Sequence, residues 1–295
     1  MHRLLGLDVG AAALSPNGRW IAWAGPGGIH VERRGGFHRR LLVLAHCPTT
    51  YKTCVGGPFV WSPNSRKLLF AQVSPEPGRA SLAIVSLASG AIHRIVAAPK
   101  DVTYDPVDWS GRAHEILFTA ANAGRANGIG CCSQKLIIAS PAGTRQRTLY
   151  KAADPIHDSP RASWSPNGKW ITFATDGRDT RDPRLAIITA ATGATKRIGG
   201  FDGYTEPPVW SPTSIRFAIG GYHTPIETYS PAGKRLGPLS PISADVRAWT
   251  RDGIYYLPGA PTLPQQLFLI PSGQRTGRSV FTLPARQVFV TVQPM

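Results

Sequence analysis

One short pattern returns six times along the chain, and it limits the possible folds more than any other feature. Its clearest copy, WSPNGKWITFAT (164–175), opens on Trp-Ser-Pro and turns through Asn167-Gly168. It continues with Trp170, Thr172 and Ala174 alternating with Ile171, Phe173 and Thr175. Turn residues followed by β-branched and aromatic alternation specify a hairpin whose second strand is well buried. The other copies are LSPNGRWIAWAG (14–25), WSPNSRKLLFAQ (61–72), WSGRAHEILFTA (109–120), WSPTSIRFAIGG (210–221) and the worn WTRDGIYYLPG (249–259). Ser15, Ser62, Ser110, Ser165, Ser211 and Thr250 follow one another at 47, 48, 55, 46 and 39 residues. That period suits one four-stranded unit per repeat.

The remainder of each repeat reads strand, small-residue turn, strand. Examples are SLAIVSL-ASG-AIHRIVA (81–97), KLIIAS-PAG-TRQRTLY (135–150), RLAIITA-ATG-ATKRIGG (184–200) and the shortened IETYS-PAG-KRLGPL (226–239). Each repeat thus holds four antiparallel strands, A to D, and no segment has helical periodicity. A single such sheet cannot bury both faces, whereas six arranged radially bury each face on the next. Trp61, Trp109, Trp164, Trp210 and Trp249, recurring in phase, are expected between repeats as core rather than as ligand contacts.

One architecture running through all 295 residues predicts a single domain. The approximate blades are 1–46, 47–99, 100–153, 154–200, 201–240 and 241–284, with a closing strand at 285–295. The 31 glycines and 27 prolines fit many tight turns, since the apolar alternation never lapses for long. No apolar run approaches the roughly 18 residues of a membrane span. MHRLLGLDVGAAALSPNG leads directly into repeat one and reads as part of it rather than as a signal peptide. The tail ARQVFVTVQPM (285–295) alternates as a strand and is expected to pair with the terminal blades, alongside RLLGLDV (3–9).

The WSPNGK-like turns, the apolar strand after them and the L-x-I/V strand ending in small-Gly resemble the TolB-type, WD-like propeller repeat. The resemblance spans nearly the whole chain, is weaker in repeat three and is degenerate in repeat six. Where that family usually has Asp before the turn glycine, this chain has Asn17, Asn64 and Asn167. The resemblance implies an all-β, six-bladed β-propeller of four-stranded antiparallel blades, often exported in bacteria and acting as a binding platform. It also implies kinship with the lid domain of prolyl-oligopeptidase-type serine peptidases. With the sequence ending at Met295, a hydrolase domain is not expected, which weakens the peptidase reading.

The meander places A–B and C–D turns at one end of the sheets, and B–C loops and D-to-A links at the other. Twenty of the 33 Lys and Arg residues fall on or near the first end, and 12 of the 17 acids in loops or links at the second. The basic turn face is read either as a contact for an anionic surface or as ordinary solvated turns. Nucleic acid is not expected, because no basic stretch is interleaved with aromatics. On the acidic face, Asp105, Asp158, Glu206 and Asp245 precede the tryptophans that end the innermost A strands. They are read either as a ring at one channel mouth that receives a cation or a basic peptide, or as caps of their own turns.

The chain contains no G-x-S-x-G, H-E-x-x-H or phosphate-cradling glycine loop, and its eight histidines are scattered. DGRDTRD (176–182) lacks the glycine-and-glutamate arrangement of an EF-hand calcium loop. Carboxylates contributed by different blades for glycosidase-type chemistry would leave no linear trace. Cys47, Cys54, Cys131 and Cys132 lie in two loops at the acidic end and suit disulfides in an exported protein, Cys47–Cys54 being the simplest pairing. A four-cysteine zinc site and free thiols are the alternatives. The expectation is a monomeric, non-catalytic scaffold that binds a protein or peptide outside the cytoplasm, without metal or cofactor. The other class is a propeller hydrolase or lyase with its site at the channel mouth.

Overall fold

The computed structural model describes residues 12–25, 27–33, 37–44, 55–73, 79–122, 134–151, 161–175, 184–198, 207–221, 224–258, 266–282 and 290–292. Its regular elements are all β-strands, and no helix occurs among the described residues. Repeat one comprises β1 (Ala12–Leu14), β2 (Trp20–Gly25), β3 (Gly28–Arg33) and β4 (Phe37–Leu44). Repeat two comprises β5 (Val55–Trp61), β6 (Lys67–Val73), β7 (Ala80–Ser86) and β8 (Ile92–Val96). Repeat three comprises β9 (Val102–Ser110), β10 (Glu115–Asn122), β11 (Gln134–Ala139) and β12 (Arg147–Lys151). Repeat four comprises β13 (Arg161–Trp164), β14 (Trp170–Thr175), β15 (Arg184–Thr189) and β16 (Thr195–Ile198). Repeat five comprises β17 (Val209–Trp210), β18 (Phe217–Gly221), β19 (Thr224–Tyr229) and the first part of β20 (Arg235–Trp249). The rest of β20 opens repeat six, which continues through β21 (Gly253–Pro258), β22 (Gln266–Pro271) and β23 (Arg278–Thr282); β24 (Val290–Val292) follows.

Each repeat is a four-stranded antiparallel meander in chain order. Repeats two and three are joined into one sheet by a single parallel bridge, Ala80 with Thr103. Repeats five and six are joined because β20 serves both. The sequence predicts a link there, yet 39 residues between Ser211 and Thr250 leave no length for one. The chain therefore runs straight through, with register shifts beside Pro225 and between Val246 and Ala248.

The chain divides into two compact units, 1–150 with 288–293, and 151–287 with 294–295. Within the first, β24 lies parallel to β1, from Ala12 with Val290 to Leu14 with Val292. The cores of both units lie between successive repeats. Ala22, Ile29 and Val31 of repeat one meet Trp61, Leu68 and Phe70 of repeat two. The other face of repeat two, through Leu69 and Leu82, meets Ile116 and Phe118 of repeat three. In the second unit, Leu185 and Ile187 of repeat four meet Trp210 and Phe217 of repeat five, and Ile226 meets Val246 and Ile254 of repeat six. Strand alternation supplies both faces, so a central repeat is buried on each side. Trp61, Trp164, Trp210 and Trp249 are buried, and the half-buried Trp109 packs on the core between repeats two and three.

The Ser-Pro-Asn turn is explained by its serine. Ser15 is buried, and its hydroxyl donates to Asn17 Oδ1 at 2.8 Å and accepts the Trp20 N–H at 2.9 Å. Asn17 Oδ1 also accepts the Arg19 N–H at 3.0 Å. Ser62 and Ser165 repeat these bonds with Asn64 and Asn167. The position after the asparagine is left-handed, φ 66° at Gly18 and 70° at Gly168. Repeats two and five place Ser65 and Ser214 there instead, at φ 59° and 60°. That backbone costs an L-residue about 1–2 kcal/mol. Each serine gains an offsetting bond to the preceding repeat: Ser65 Oγ accepts the Asn17 N–H at 3.1 Å, and Ser214 Oγ the Asn167 N–H at 3.0 Å.

Candidate functional site

Of the acidic residues assigned from sequence to loops and links, Asp105, Asp108 and Asp245 instead lie within strands, in β9 and β20. The A strands begin earlier than the turn-rich sequence suggests, because Pro106 is accommodated at a register shift opposite Leu117 and Phe118. Asp105 and Asp245 occupy the same place in their repeats, four residues before Trp109 and Trp249. Asp105 faces Thr119 of β10. Its neighbour Tyr104 turns to the opposite side, into the core between repeats two and three, edge-on to Phe118 at 5.7 Å. Burial pushes the Asp105 carboxyl above the usual carboxylate range, and it has no ion-pair or hydrogen-bond partner among the described residues. Asp245 differs in that Arg247 Nη2 approaches its Oδ2 at 3.5 Å. Asp108 accepts the N–H of Trp109 at 2.7 Å, a local backbone bond of the capping kind.

Asp158 and Glu206 lie outside the described residues, as do Cys47, Cys54, Cys131, Cys132 and the 176–182 loop. Asp105 belongs to the first compact unit and Asp245 to the second. No three His, Cys, Asp or Glu side chains converge as metal ligands among the described residues. No helix there is long and apolar enough to cross a membrane.

A second polar constellation was not anticipated. Glu227 in β19 is buried, its Oε2 accepting Tyr229 Oη–H at 2.9 Å and Arg235 Nε–H at 2.9 Å, and its Oε1 bonded by Arg235 Nη2. Burial alone would raise the Glu227 carboxyl; the bonds from Arg235 and Tyr229 outweigh it and hold the group below its ordinary value. Burial, with the Glu227 bond, pushes the Tyr229 phenol up to about 12. Aligning the Ser-Pro-Ala-Gly turns at 140–143 and 230–233 puts Glu227 where repeat three has the buried Ile137. An acid at a core-facing strand position was the signal available in the sequence.

At the opposite end of the meanders, backbone bonds bring the two turns of a repeat together. Leu87 N–H donates to Arg66 O at 2.9 Å, and Ala190 N–H to Lys169 O at 2.9 Å. Arg19, Arg66, Lys67, Arg112, Lys169, Arg216 and Arg251 are all exposed there.

No protein-family model matches this chain, and no curated protein matches it in sequence. Solved structures do. The likeness is one of fold. TolB from Acinetobacter baumannii superposes with a TM-score of 0.51 at 15% identity, covering 78% of this chain and 53% of that one. A prolyl endopeptidase gives 0.67 at 14% identity, covering 93% of this chain and 42% of the enzyme. A chain of the mitotic checkpoint complex gives 0.66 at 14% identity, covering 100% and 85%. This protein therefore spans about half of that TolB and less than half of that peptidase. It shares the all-β, four-stranded antiparallel sheet architecture of TolB and other propeller proteins.

Proposed function

We propose that the protein is a non-catalytic, TolB-like binding platform whose A strands present carboxylates to a basic segment of a protein partner. In this reading the six repeats close radially, and Asp105, Asp158, Glu206 and Asp245 ring one mouth of the channel. The supporting observation is Asp105, a carboxylate desolvated on an A strand with no cation beside it among the described residues. A desolvated acid gains most from a Lys or Arg brought by another chain, since burial strengthens the pairing. The platform acts as a monomer in the cell envelope, as the TolB likeness suggests.

An array of Lys/Arg-containing peptides and their charge-reversed counterparts, probed with wild type and a D105N/D158N/E206Q/D245N variant, tests this. Basic peptides should be retained by wild type and lost by the folded variant. Equal retention by both would move the site elsewhere.

The enzymatic reading rests on the prolyl endopeptidase likeness. Under it the chain is a lid-type propeller that works with a hydrolase, or carries a site of its own at the channel mouth. Turnover of blocked peptide anilides by the purified chain, abolished by the same four substitutions, would replace the binding reading.

A further inference from the structure

We propose that the turn edge of repeats four to six docks on an anionic lipid surface, with Ile215 entering the boundary between headgroups and acyl chains. The inference concerns the end of the sheets opposite the A-strand carboxylates and stands independently of them. The edge is contiguous. The Asn167 N–H of repeat four donates to Ser214 Oγ of repeat five at 3.0 Å, and Lys196 Nζ donates to Ala232 O at 2.5 Å. Arg216 of repeat five lies over the Trp249 ring of repeat six, 4.9 Å from its centroid.

Among the described residues, the exposed cations on this edge include Lys169, Lys196, Arg197, Arg216, Lys234 and Arg251. Among the described residues, two acids lie near them. Glu227 is buried and already bonded by Arg235, which leaves Asp252 as the exposed one.

Charge alone would suit any polyanion; the apolar residues set among the cations narrow the choice. Ile215 stands at the tip of the repeat-five turn with 65% of its surface exposed. Repeats one, two and four place Arg19, Arg66 and Lys169 at the same tip. Leu236, just past the neighbouring C–D turn, is 51% exposed. The tip cannot fold its isoleucine away, because Ser214 is bonded to Asn167 on one side and Ser211 N–H to Arg216 O, at 2.9 Å, on the other. Aliphatic side chains flanked by Lys and Arg match an interface where headgroups are anionic and the acyl boundary lies a few ångströms below. A single-stranded nucleic acid would call for exposed aromatic platforms. The exposed large apolar residues among those described are all aliphatic.

Cosedimentation with equimolar phosphatidylglycerol/phosphatidylcholine vesicles, against phosphatidylcholine alone, tests the proposal, with retention on heparin as the reference for general polyanion affinity. Wild type should bind the anionic vesicles and not the neutral ones. K169E and K234E should each weaken partition about fivefold or more. I215S, which removes the aliphatic group without changing the charge, should weaken it about tenfold while leaving heparin retention and circular dichroism unchanged, and I215L should bind as wild type. Absence of binding to anionic vesicles would overturn the proposal. So would vesicle binding indifferent to I215S, which would mark the edge as a site for a soluble polyanion or an acidic protein.

Discussion

In the first unit, Ser65 of repeat two ties itself to Asn17 of repeat one; in the second, Ser214 of repeat five ties itself to Asn167 of repeat four. The Pro-Ala-Gly turns correspond as well, Gly143 lying against Ile95 of repeat two and Gly233 against Ile198 of repeat four. The units part company elsewhere. Trp61 Nε1–H donates to Ala13 O at 3.1 Å, whereas Trp210 Nε1–H has no acceptor among the described residues and stacks on Trp170 instead, at 6.0 Å. Glu227 replaces an aliphatic residue, and Ile215 replaces a cation at a turn tip. The framework between repeats is thus duplicated, while the chemical differences collect in repeat five.

Substitutions made in pairs, one in each unit, sharpen or break this comparison. The largest effect is expected from W61A and W210A, each removing a buried indole and costing about 4 kcal/mol. W61A should exceed W210A by about 1 kcal/mol, because it also orphans Ala13 O. Urea unfolding measures both, and equal losses would mean the Trp61 bond contributes nothing. Next come G143A and G233A. A Cβ on Gly143 would lie 2.2 Å from Ile95 O, but on Gly233 only 3.2 Å from a flexible Ile198 carbon, both at positive φ. G143A should therefore cost about 3 kcal/mol and G233A about 1 kcal/mol. A reversed order would contradict the packing described for these turns.

S65A and S214A should be alike, each losing about 1 kcal/mol with its bond to the preceding repeat. S65G and S214G lose the same bond but relieve the left-handed backbone, so their melting points should stay near wild type. The last effect has no counterpart among the described residues of the first unit. Glu227 has a lowered folded pKa, so its contribution is present above the ordinary value of 4.5 and lost as pH falls through the lowered one. Tyr229 is raised from 10.0 to about 12, so its contribution is present below pH 10 and lost as pH rises toward 12. The stability difference between wild type and Y229F should therefore shrink between pH 10 and 12, and that between wild type and E227Q should shrink on acidification below pH 4.5.

Much of the fold was legible because the repeat states its own physics. Ser15, Ser62 and Ser165 sit in phase with a turn asparagine and a following strand, and the tryptophans return at the positions where one repeat packs on the next. Less was legible where tertiary context overrides local signals. Pro241 and the residues from there to Asp245 read as a link, yet they fall inside β20, since the short fifth spacing leaves the chain no room to leave the sheet. Asp105 reads as a loop acid because Pro106 follows it, and a register shift keeps both in the strand. Glu227 was missed since a strand composed of Ile226, Glu227, Thr228 and Tyr229 alternates acceptably either way round. Alignment with the buried Ile137 of repeat three is the one sequence signal, and the partners, Tyr229 two residues on and Arg235 across the turn, show how the inward-facing acid is satisfied.

The most direct test of the binding reading uses the contrast between its two described carboxylates. Fluorescence anisotropy with a labelled Lys/Arg-rich peptide should be measured for wild type, D105N and D245N at one low salt concentration. The expected result is a loss of at least about tenfold for D105N, whose acid has no cation beside it among the described residues, and a smaller loss for D245N, whose acid is held by Arg247. A folded D105N that binds the peptide as tightly as wild type would contradict the reading.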